Sequence, residues 1–396
     1  MSLYFAAFFM DASIGMVFFV VPLIAIKLGA GPLALGMFGF LFGIFYTFLT
    51  PLFGRMCDRT GSKKLVFIAA LLSAAACLVL PSLRSIFLLF AFVSFYGVCA
   101  AVFWPCIEVW IAKNSKGNVL RAVGLFSVSW CAGISVGTLA SGMVSAVSLT
   151  YPPYIGAAFC ALAAVFTSMA KEDKAVSTYQ RVNVSESKDD SLNHETSKPQ
   201  NLETNNQTTS KPTNKLTNVF LKIAWMSNFM VWFVVGAIRF LFPKLAVDIG
   251  ITPEILGFML FTITASQAVT SYILCCSSWW HYKIAFLLAI EAAIAAGSLI
   301  FIFSSNNVLF FIGFALAGIG AGVAYFSSLY YSLNDASSKG SGTGIHESIV
   351  GSGSLLGPLI AGILAQNYTL RAPYLACIIV VVGVIVLQIV YYRLQR

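Results

Sequence analysis

The chain has 396 residues, of which 59% are hydrophobic, 14% aromatic and only 10% charged, and its mean hydropathy is +0.86. Soluble globular chains carry about 25% charged residues, so this composition indicates an integral membrane protein. At about 20 residues per span, the length allows about a dozen spans and excludes an attached soluble enzyme. The formal net charge of +9 favours basic loops that face anionic lipid, and no nucleic-acid partner is predicted.

Twelve apolar stretches of helical length follow one another along the chain. They cover residues 3–26, 33–54, 65–83, 86–111, 119–148, 152–170, 218–243, 252–277, 283–303, 307–332, 343–366 and 372–392. These stretches are continuous where the strands of a membrane barrel would alternate, so we predict an all-α fold of twelve transmembrane helices. The nine cysteines lie within the stretches or at their ends, without metal-ligand spacing, and are predicted to be buried thiols.

The composition changes abruptly between residues 171 and 215. This segment is rich in Ser, Thr, Asn and charges of both signs, and Tyr179 is its one aromatic residue. Such a composition is typical of a disordered linker. We therefore predict an N-terminal six-helix bundle over 1–170, a disordered cytoplasmic linker over 171–215 and a C-terminal six-helix bundle over 216–396.

The distribution of basic residues predicts the orientation. With six spans per half, both termini and the linker share one side of the membrane. Basic residues outside the linker are concentrated on that side, at Arg55, Arg59, Lys63, Lys64, Lys113, Lys116, Arg121, Lys283, Lys339, Arg393 and Arg396, against Lys27, Arg84, Lys244 and Arg371 opposite. The positive-inside rule then places the termini in the cytoplasm of a multi-pass plasma membrane protein.

The two halves show an internal repeat. At an offset of 221, Gly15, Pro22, Gly29, Pro32 and Gly36 fall on Gly236, Pro243, Gly250, Pro253 and Gly257; at an offset of 220, Gly124, Gly133, Gly137, Gly142, Pro153 and Tyr154 fall on Gly344, Gly353, Gly357, Gly362, Pro373 and Tyr374. We interpret the halves as parallel structural repeats. This pattern is typical of transporters that rock two bundles about a site near the bilayer midplane.

Residues 54–64 carry the most specific motif, GRMCDRTGSKK. It resembles the signature loop of the major facilitator superfamily, G-x-x-x-D-[RK]-x-G-[RK]-[RK]. The match holds at Gly54, Asp58, Arg59, Gly61 and Lys63, while Ser62 replaces a basic residue and Lys64 adds one. The resemblance covers the whole chain, because the spans and the repeat agree with it. It implies secondary transport by alternating access, without a cofactor or covalent chemistry, and a cytoplasmic gate in which Asp58 lies near the start of span 11.

Glycines recur in spans 5 and 11, at Gly124, Gly133, Gly137 and Gly142 and at Gly344, Gly353, Gly357 and Gly362. Their spacing resembles a glycine-rich element in span 5 of drug–proton antiporters of this superfamily, although Thr138 and Ser141 depart from it. Tight helix packing through small residues explains the same spacing. Both interpretations stay open.

Ionisable residues at membrane depth cost about 2.5–3.5 kcal/mol on insertion scales and need an explanation. Five are candidates for transport or coupling: Asp11, Arg239, Glu108, Glu291 and Glu347. Asp11 is either a proton or substrate site in the cavity or a carboxylate near the interface. Arg239 either contacts substrate or a counter-ion, or extends toward the outer headgroups. The repeat places both on equivalent faces of spans 1 and 7, too far apart in depth for a direct bridge.

The remaining carboxyls have competing interpretations as well. Glu291 is either functional or a protonated carboxyl packed between helices. Glu108 is either a proton relay or the partner of Arg121 in an ion pair that supports the Asp58 loop. We expect Glu108 and Glu347 to lie where headgroups and water reach them, with His346 and Glu347 acting as a gate or as a solvated helix cap.

Three functions follow as hypotheses. The first is proton-coupled export of an amphipathic small molecule, and the second is uptake of a small organic anion that pairs with Arg239. The third is a non-transporting membrane sensor or a membrane-embedded enzyme, which the short loops disfavour. The predicted partners are a small-molecule substrate, H⁺ as coupling ion and the lipid bilayer. We predict a monomer that is not an enzyme and holds no cofactor or metal.

Overall fold

The computed structural model describes residues 1–114, 119–171, 213–335 and 339–395. Over these ranges the chain forms twelve long helices, and each is long and apolar enough to cross a membrane. They are α1 (Ser2–Lys27), α2 (Pro32–Thr60), α3 (Ser62–Val79), α4 (Ile86–Lys113), α5 (Val119–Val147), α6 (Tyr151–Met169), α7 (Thr213–Asp248), α8 (Pro253–Cys275), α9 (Ile284–Phe303), α10 (Asn307–Asp335), α11 (Lys339–Asn367) and α12 (Ala372–Gln395). The predicted all-α fold is thus confirmed.

Several helices extend beyond the predicted spans. α2 continues through the signature motif to Thr60, since nothing in residues 52–60 breaks a helix, and ends at Gly61, whose φ of 87° suits glycine alone. The motif is therefore mostly helix rather than the loop that we predicted. Most of the predicted linker, residues 172–212, lies outside the described residues.

The first turn of each half has the same construction. The amide of Ala30 donates to the Ala25 carbonyl at 2.9 Å, and the amide of Ile251 donates to the Ala246 carbonyl at 2.8 Å. Between them Gly29 and Gly250 take positive φ values of 85° and 77°. This is a glycine-terminated helix end of the Schellman type, and its recurrence reflects the internal repeat.

Each half is built around close helix pairs that depend on glycine. A Cβ added to Gly137 of α5 would lie 2.0 Å from the Ala12 carbonyl oxygen of α1. The repeat-related Gly357 of α11 makes the same approach to the Phe233 carbonyl of α7, at 2.1 Å. Gly133 and Gly353 contact α1 and α7 one turn earlier. Small residues thus let the helix backbones touch.

Two long interfaces join the halves, between α2 and α11 and between α5 and α8. We call them the α2–α11 seam and the α5–α8 seam. Gly36 and Gly362 touch near one end of the first seam, and Gly344 touches Pro51 near the other. In the second seam Gly142 touches Gly257 and Gly124 touches Cys275. The halves are therefore in contact near both ends of each seam.

The cysteines differ from the prediction of nine buried thiols. Cys57 of α2 and Cys106 of α4 form a disulfide, with their Cα atoms 5.5 Å apart, because these helices pack together at this level. Cys276, just after α8, is exposed rather than buried.

Candidate functional site

A cavity lies at the centre of the molecule, between the two halves. Its empty volume is about 560 Å³, including solvent space at its mouth. Helices α1, α2, α4 and α5 line it from the N-terminal half, and α7, α10 and α11 from the C-terminal half. The cavity therefore lies between the α2–α11 seam and the α5–α8 seam, and both halves contribute to its wall.

Aromatic residues are half of those that line the cavity. The Trp130 ring centroid lies 5.0 Å from that of Tyr325 and 6.4 Å from that of Trp232. The other aromatic lining residues are Phe18, Phe42, Tyr46 and Trp104. Within the described part of the chain, the buried indole nitrogens of Trp130 and Trp232 have no hydrogen-bond partner. The wall therefore offers flat apolar faces together with two free N–H donors.

Asp11 and Arg239 both line the cavity. Asp11 is buried, and its Oδ2 has no hydrogen-bond partner among the described residues. The Arg239 guanidinium carbon lies 5.5 Å from the Phe18 ring centroid and 6.0 Å from that of Trp232. Arg239 thus faces the cavity instead of extending to the outer headgroups. No ion pair within 4.0 Å joins the two charges in the described residues.

Two carboxyl groups from opposite halves meet at one end of the cavity. The Tyr325 hydroxyl lies 3.0 Å from Glu108 Oε1 and 3.2 Å from Glu347 Oε1, and the Tyr46 hydroxyl donates to Glu347 Oε2. Both carboxyls are buried, contrary to the expectation that water and headgroups reach them. Glu108 lies on α4 and Glu347 on α11. These two helices pack against each other beside the α2–α11 seam, which shields both carboxyls from solvent.

His346 and Glu108 also differ from the predicted alternatives. His346 is fully buried, with its Nδ1 2.8 Å from the Ser328 hydroxyl, so it is not part of a solvated cap. The neighbours of Glu108 are Tyr325 and Glu347, whereas Arg121 is exposed at the start of α5. The structure therefore places Glu108 in the contact between the halves.

Glu291 lies away from the cavity, inside the C-terminal half. Its Oε1 accepts hydrogen bonds from the Ser227 hydroxyl at 2.5 Å and from Gln388 Nε2 at 2.8 Å. These partners come from α7 and α12, so the carboxyl joins three helices of one bundle. This geometry favours a packing role over a functional one.

The signature motif is described only in part. Lys63 Nζ donates to the carbonyls of Ser168 and Ala170 at 2.7 and 2.8 Å. This lysine thereby satisfies free carbonyls at the end of α6 and ties α3 to α6. The side chains of Asp58 and Arg59 lie outside the described part of the chain, as does the predicted contact of Asp58 with the start of α11.

Our sequence analysis did not identify Tyr46, Tyr325 or Trp130 as cavity residues. Each lies in a long apolar run, where an aromatic side chain carries no signal of its own. The repeat held one clue, because Tyr325 falls on Trp104 at the offset of 221.

A family model described as Major Facilitator Superfamily matches residues 3–222 and 224–396. The chain belongs to this superfamily. It is a multi-pass membrane protein of a transporter family, and its twelve described helices have the fold of that family.

The similar proteins differ in what they carry. Multidrug resistance protein 1 of Bacillus subtilis is 27% identical over 155 residues, which is 39% of this chain and 40% of that relative. The nucleoside transporter NupG superposes with a TM-score of 0.69 at 14% identity, covering 99% of both chains. The human organic anion transporter MFSD10 superposes with a TM-score of 0.69 at 13% identity, covering 98% of both. At such identities the superpositions establish the fold alone.

Proposed function

We propose that the protein moves a small amphipathic, aromatic molecule across the plasma membrane by alternating access, as a monomer and without covalent chemistry. The observation that carries this proposal is the cavity between the halves, whose wall combines aromatic rings with Asp11 and Arg239. Flat rings bind apolar and cationic ligands by stacking and cation–π contacts. A cavity of this kind selects its substrates by their shape and polarity.

We further propose that Asp11 couples transport to a proton gradient. Its carboxyl is buried in the cavity wall with one oxygen unpartnered among the described residues. The charged groups facing it from other helices are Arg239 of α7 and Glu347 of α11. An ionisable side chain at membrane depth costs free energy and usually has a function. Exchange of a proton with the cavity is the function that we propose for Asp11.

Export is the direction that we favour. The glycine spacing of span 5 resembles that of drug–proton antiporters, and a partial relative is named a multidrug resistance protein. The basic residues described above support an orientation with the termini and linker in the cytoplasm. On this orientation, Asp58 and the end of α2 form a cytoplasmic gate.

Uptake of a small organic anion is the second candidate. Arg239 faces the cavity, and no carboxylate among the described residues lies within 4.0 Å of it. Its charge is thus available to an anion. A structural neighbour described as an organic anion transporter is consistent with this alternative.

Ligand binding to the purified protein separates the two candidates. We expect an aromatic cation such as ethidium to raise the melting temperature, because binding to the native state stabilises it, and an aromatic carboxylate or a nucleoside to have little effect. Trp232→Phe should weaken the response, whereas Trp110→Phe, which replaces a buried indole that does not line the cavity, should not. Stabilisation by the carboxylate alone, lost in Arg239→Gln, would favour uptake of an anion.

Flux into proteoliposomes tests the coupling and its sign. An antiporter accumulates the bound probe in the acidic compartment, and a symporter accumulates it in the alkaline one. Asp11→Asn should abolish accumulation and spare downhill exchange, since a coupling group must change protonation during the cycle. Glu291→Gln is the matched control and should keep accumulation. Normal gradient-driven accumulation by Asp11→Asn would remove Asp11 from the mechanism.

A further inference from the structure

Three potential metal ligands meet beside the cavity, at Glu108 of α4 and at His346 and Glu347 of α11. A carboxylate oxygen of each glutamate and a nitrogen of His346 all lie within 4.8 Å of one another. The three side chains are 2%, 0% and 2% exposed. The cluster therefore joins the N-terminal half to the C-terminal half in a place closed to bulk water.

His346 gives a second and independent indication. Its Nε2 is fully buried, has no hydrogen-bond partner among the described residues, and lies 3.6 Å from Glu347 Oε1. Its Nδ1 is 2.8 Å from the Ser328 hydroxyl. When Nδ1–H donates to that hydroxyl, Nε2 directs a lone pair into the cluster. Metal-bound histidines are oriented in this way by a partner on the second nitrogen.

The charges of the cluster also favour a cation. Over the described ranges, no lysine or arginine lies within 4.0 Å of Glu108 or Glu347. The hydroxyls of Tyr46 and Tyr325 are neutral donors. Two buried carboxylates so close together repel each other strongly in a low-dielectric interior. A proton shared by the carboxyls would lower the charge, but it would leave His346 Nε2 without a partner.

We propose that Glu108, His346 and Glu347 bind a divalent first-row transition metal ion of the Zn²⁺ class. One imidazole and two carboxylates suit such ions, whereas Mg²⁺ and Ca²⁺ prefer all-oxygen sites. Zinc bonds are about 2.0–2.2 Å long, so the three side chains would have to move toward one another when the ion binds. Since its ligands come from both halves, the bound ion holds the α2–α11 side of the cavity closed.

Metal titration of the purified full chain tests the site. Cys275 and Cys276 have sulfurs 3.9 Å apart and Cys276 is exposed, so the titration is made with both changed to Ser to remove a competing thiolate site. Isothermal titration with Zn²⁺ should show one ion per chain and a rise in melting temperature. Absence of binding up to millimolar Zn²⁺ would mean that the cluster holds a proton only, which overturns the proposal.

Variants assign the ligands. His346→Gln and Glu347→Gln should each weaken binding by more than the roughly 10- to 100-fold that loss of a second-shell partner causes, and Ser328→Ala should fall within that range. His281→Gln and Glu291→Gln replace the same residue types outside the cluster and should leave the affinity unchanged. Equal affinity in wild type and His346→Gln contradicts the site.

A measurement on a chain whose cluster residues are unchanged keeps the test decisive if these variants fail to fold. Co²⁺ bound by nitrogen and oxygen gives visible ligand-field absorption without the near-ultraviolet charge transfer of thiolate ligands. We expect the first equivalent of Co²⁺ in the Cys275→Ser, Cys276→Ser chain to give the former alone, and to be displaced by Zn²⁺. A thiolate band from that equivalent would place the metal elsewhere and overturn the proposal.

Discussion

The two seams between the halves share a scaffold and differ in chemistry. Gly142 faces Gly257 in the α5–α8 seam as Gly362 faces Gly36 in the α2–α11 seam, and added Cβ atoms would lie 2.8 and 2.9 Å from the opposite Cα. These pairs are related by the internal repeat. The backbone contact that brings the halves together is therefore the same on both sides of the cavity.

The side chains at equivalent positions have diverged. The α2–α11 seam carries Tyr46 and Glu347, which are hydrogen-bonded to each other, where the α5–α8 seam has Gln267 and Ser127. The second seam is instead joined by a neutral bond from the Ser135 hydroxyl to Thr264 Oγ1, at 2.7 Å. The internal repeat thus accounts for the shared backbone contacts of the two seams. Differences at a few repeat-related positions leave the buried carboxyl in the α2–α11 seam only, among the positions compared.

The largest effect is expected where the seams are alike. Gly142→Ala and Gly362→Ala each insert a methyl group against backbone, and such overpacking costs about 1–3 kcal/mol. The melting temperatures of both variants should fall by similar amounts. Gly383→Ala, in α12 with no atom within 4 Å of the added methyl, is the control and should match or exceed wild type, since alanine favours helix. A large difference between the melting temperatures of the two seam variants would show that the repeat-related contacts are not energetically equivalent.

The next effect separates the seams. Tyr46→Phe removes a donor to a buried carboxyl, and hydrogen bonds to charged groups contribute about 1.5–3 kcal/mol. Ser135→Ala removes a neutral bond of about 0.5–1.5 kcal/mol. We expect the larger fall in melting temperature from Tyr46→Phe, together with faster labelling of a cysteine introduced at cavity position Val350. Equal falls would mean that the α2–α11 seam gains nothing from its carboxyl.

The apolar stretches and the internal repeat predicted the twelve helices and the two halves, because both patterns can be seen directly in the sequence. The repeat also placed Asp11 and Arg239 on equivalent faces of spans 1 and 7, and in the structure both line the cavity. It could not predict that Glu108 meets Glu347. Their proximity depends on the packing of α4 against α11, between residues far apart in the chain. The signature motif is helical for a simpler reason: residues 55–60 contain neither glycine nor proline, so α2 continues until Gly61 takes a positive φ.

A smaller effect is expected at the end of α2. Asp58→Asn keeps the shape of the residue and removes its charge from the proposed gate. It should slow turnover and shift the population of outward- and inward-facing states, while substrate affinity stays within a few-fold of wild type, because a gate biases two states without touching substrate. Turnover in proteoliposomes and probe affinity in detergent measure the two quantities. Lost affinity with normal turnover would contradict a gating role.

The smallest effect is expected from the segment that connects the halves. If the seams hold the bundles together, deletion of residues 176–210 should leave the melting temperature and probe accumulation close to wild type, provided that the remaining residues still connect Lys171 to α7. A shorter deletion of 176–190 controls for strain in the connection. If both deletion variants fold and only the longer deletion is inactive, the remaining connection is too short for the two halves to move. Loss of transport by the shorter deletion at an unchanged melting temperature would show that the segment acts on the cycle itself, and the seams alone would not account for coupling between the halves.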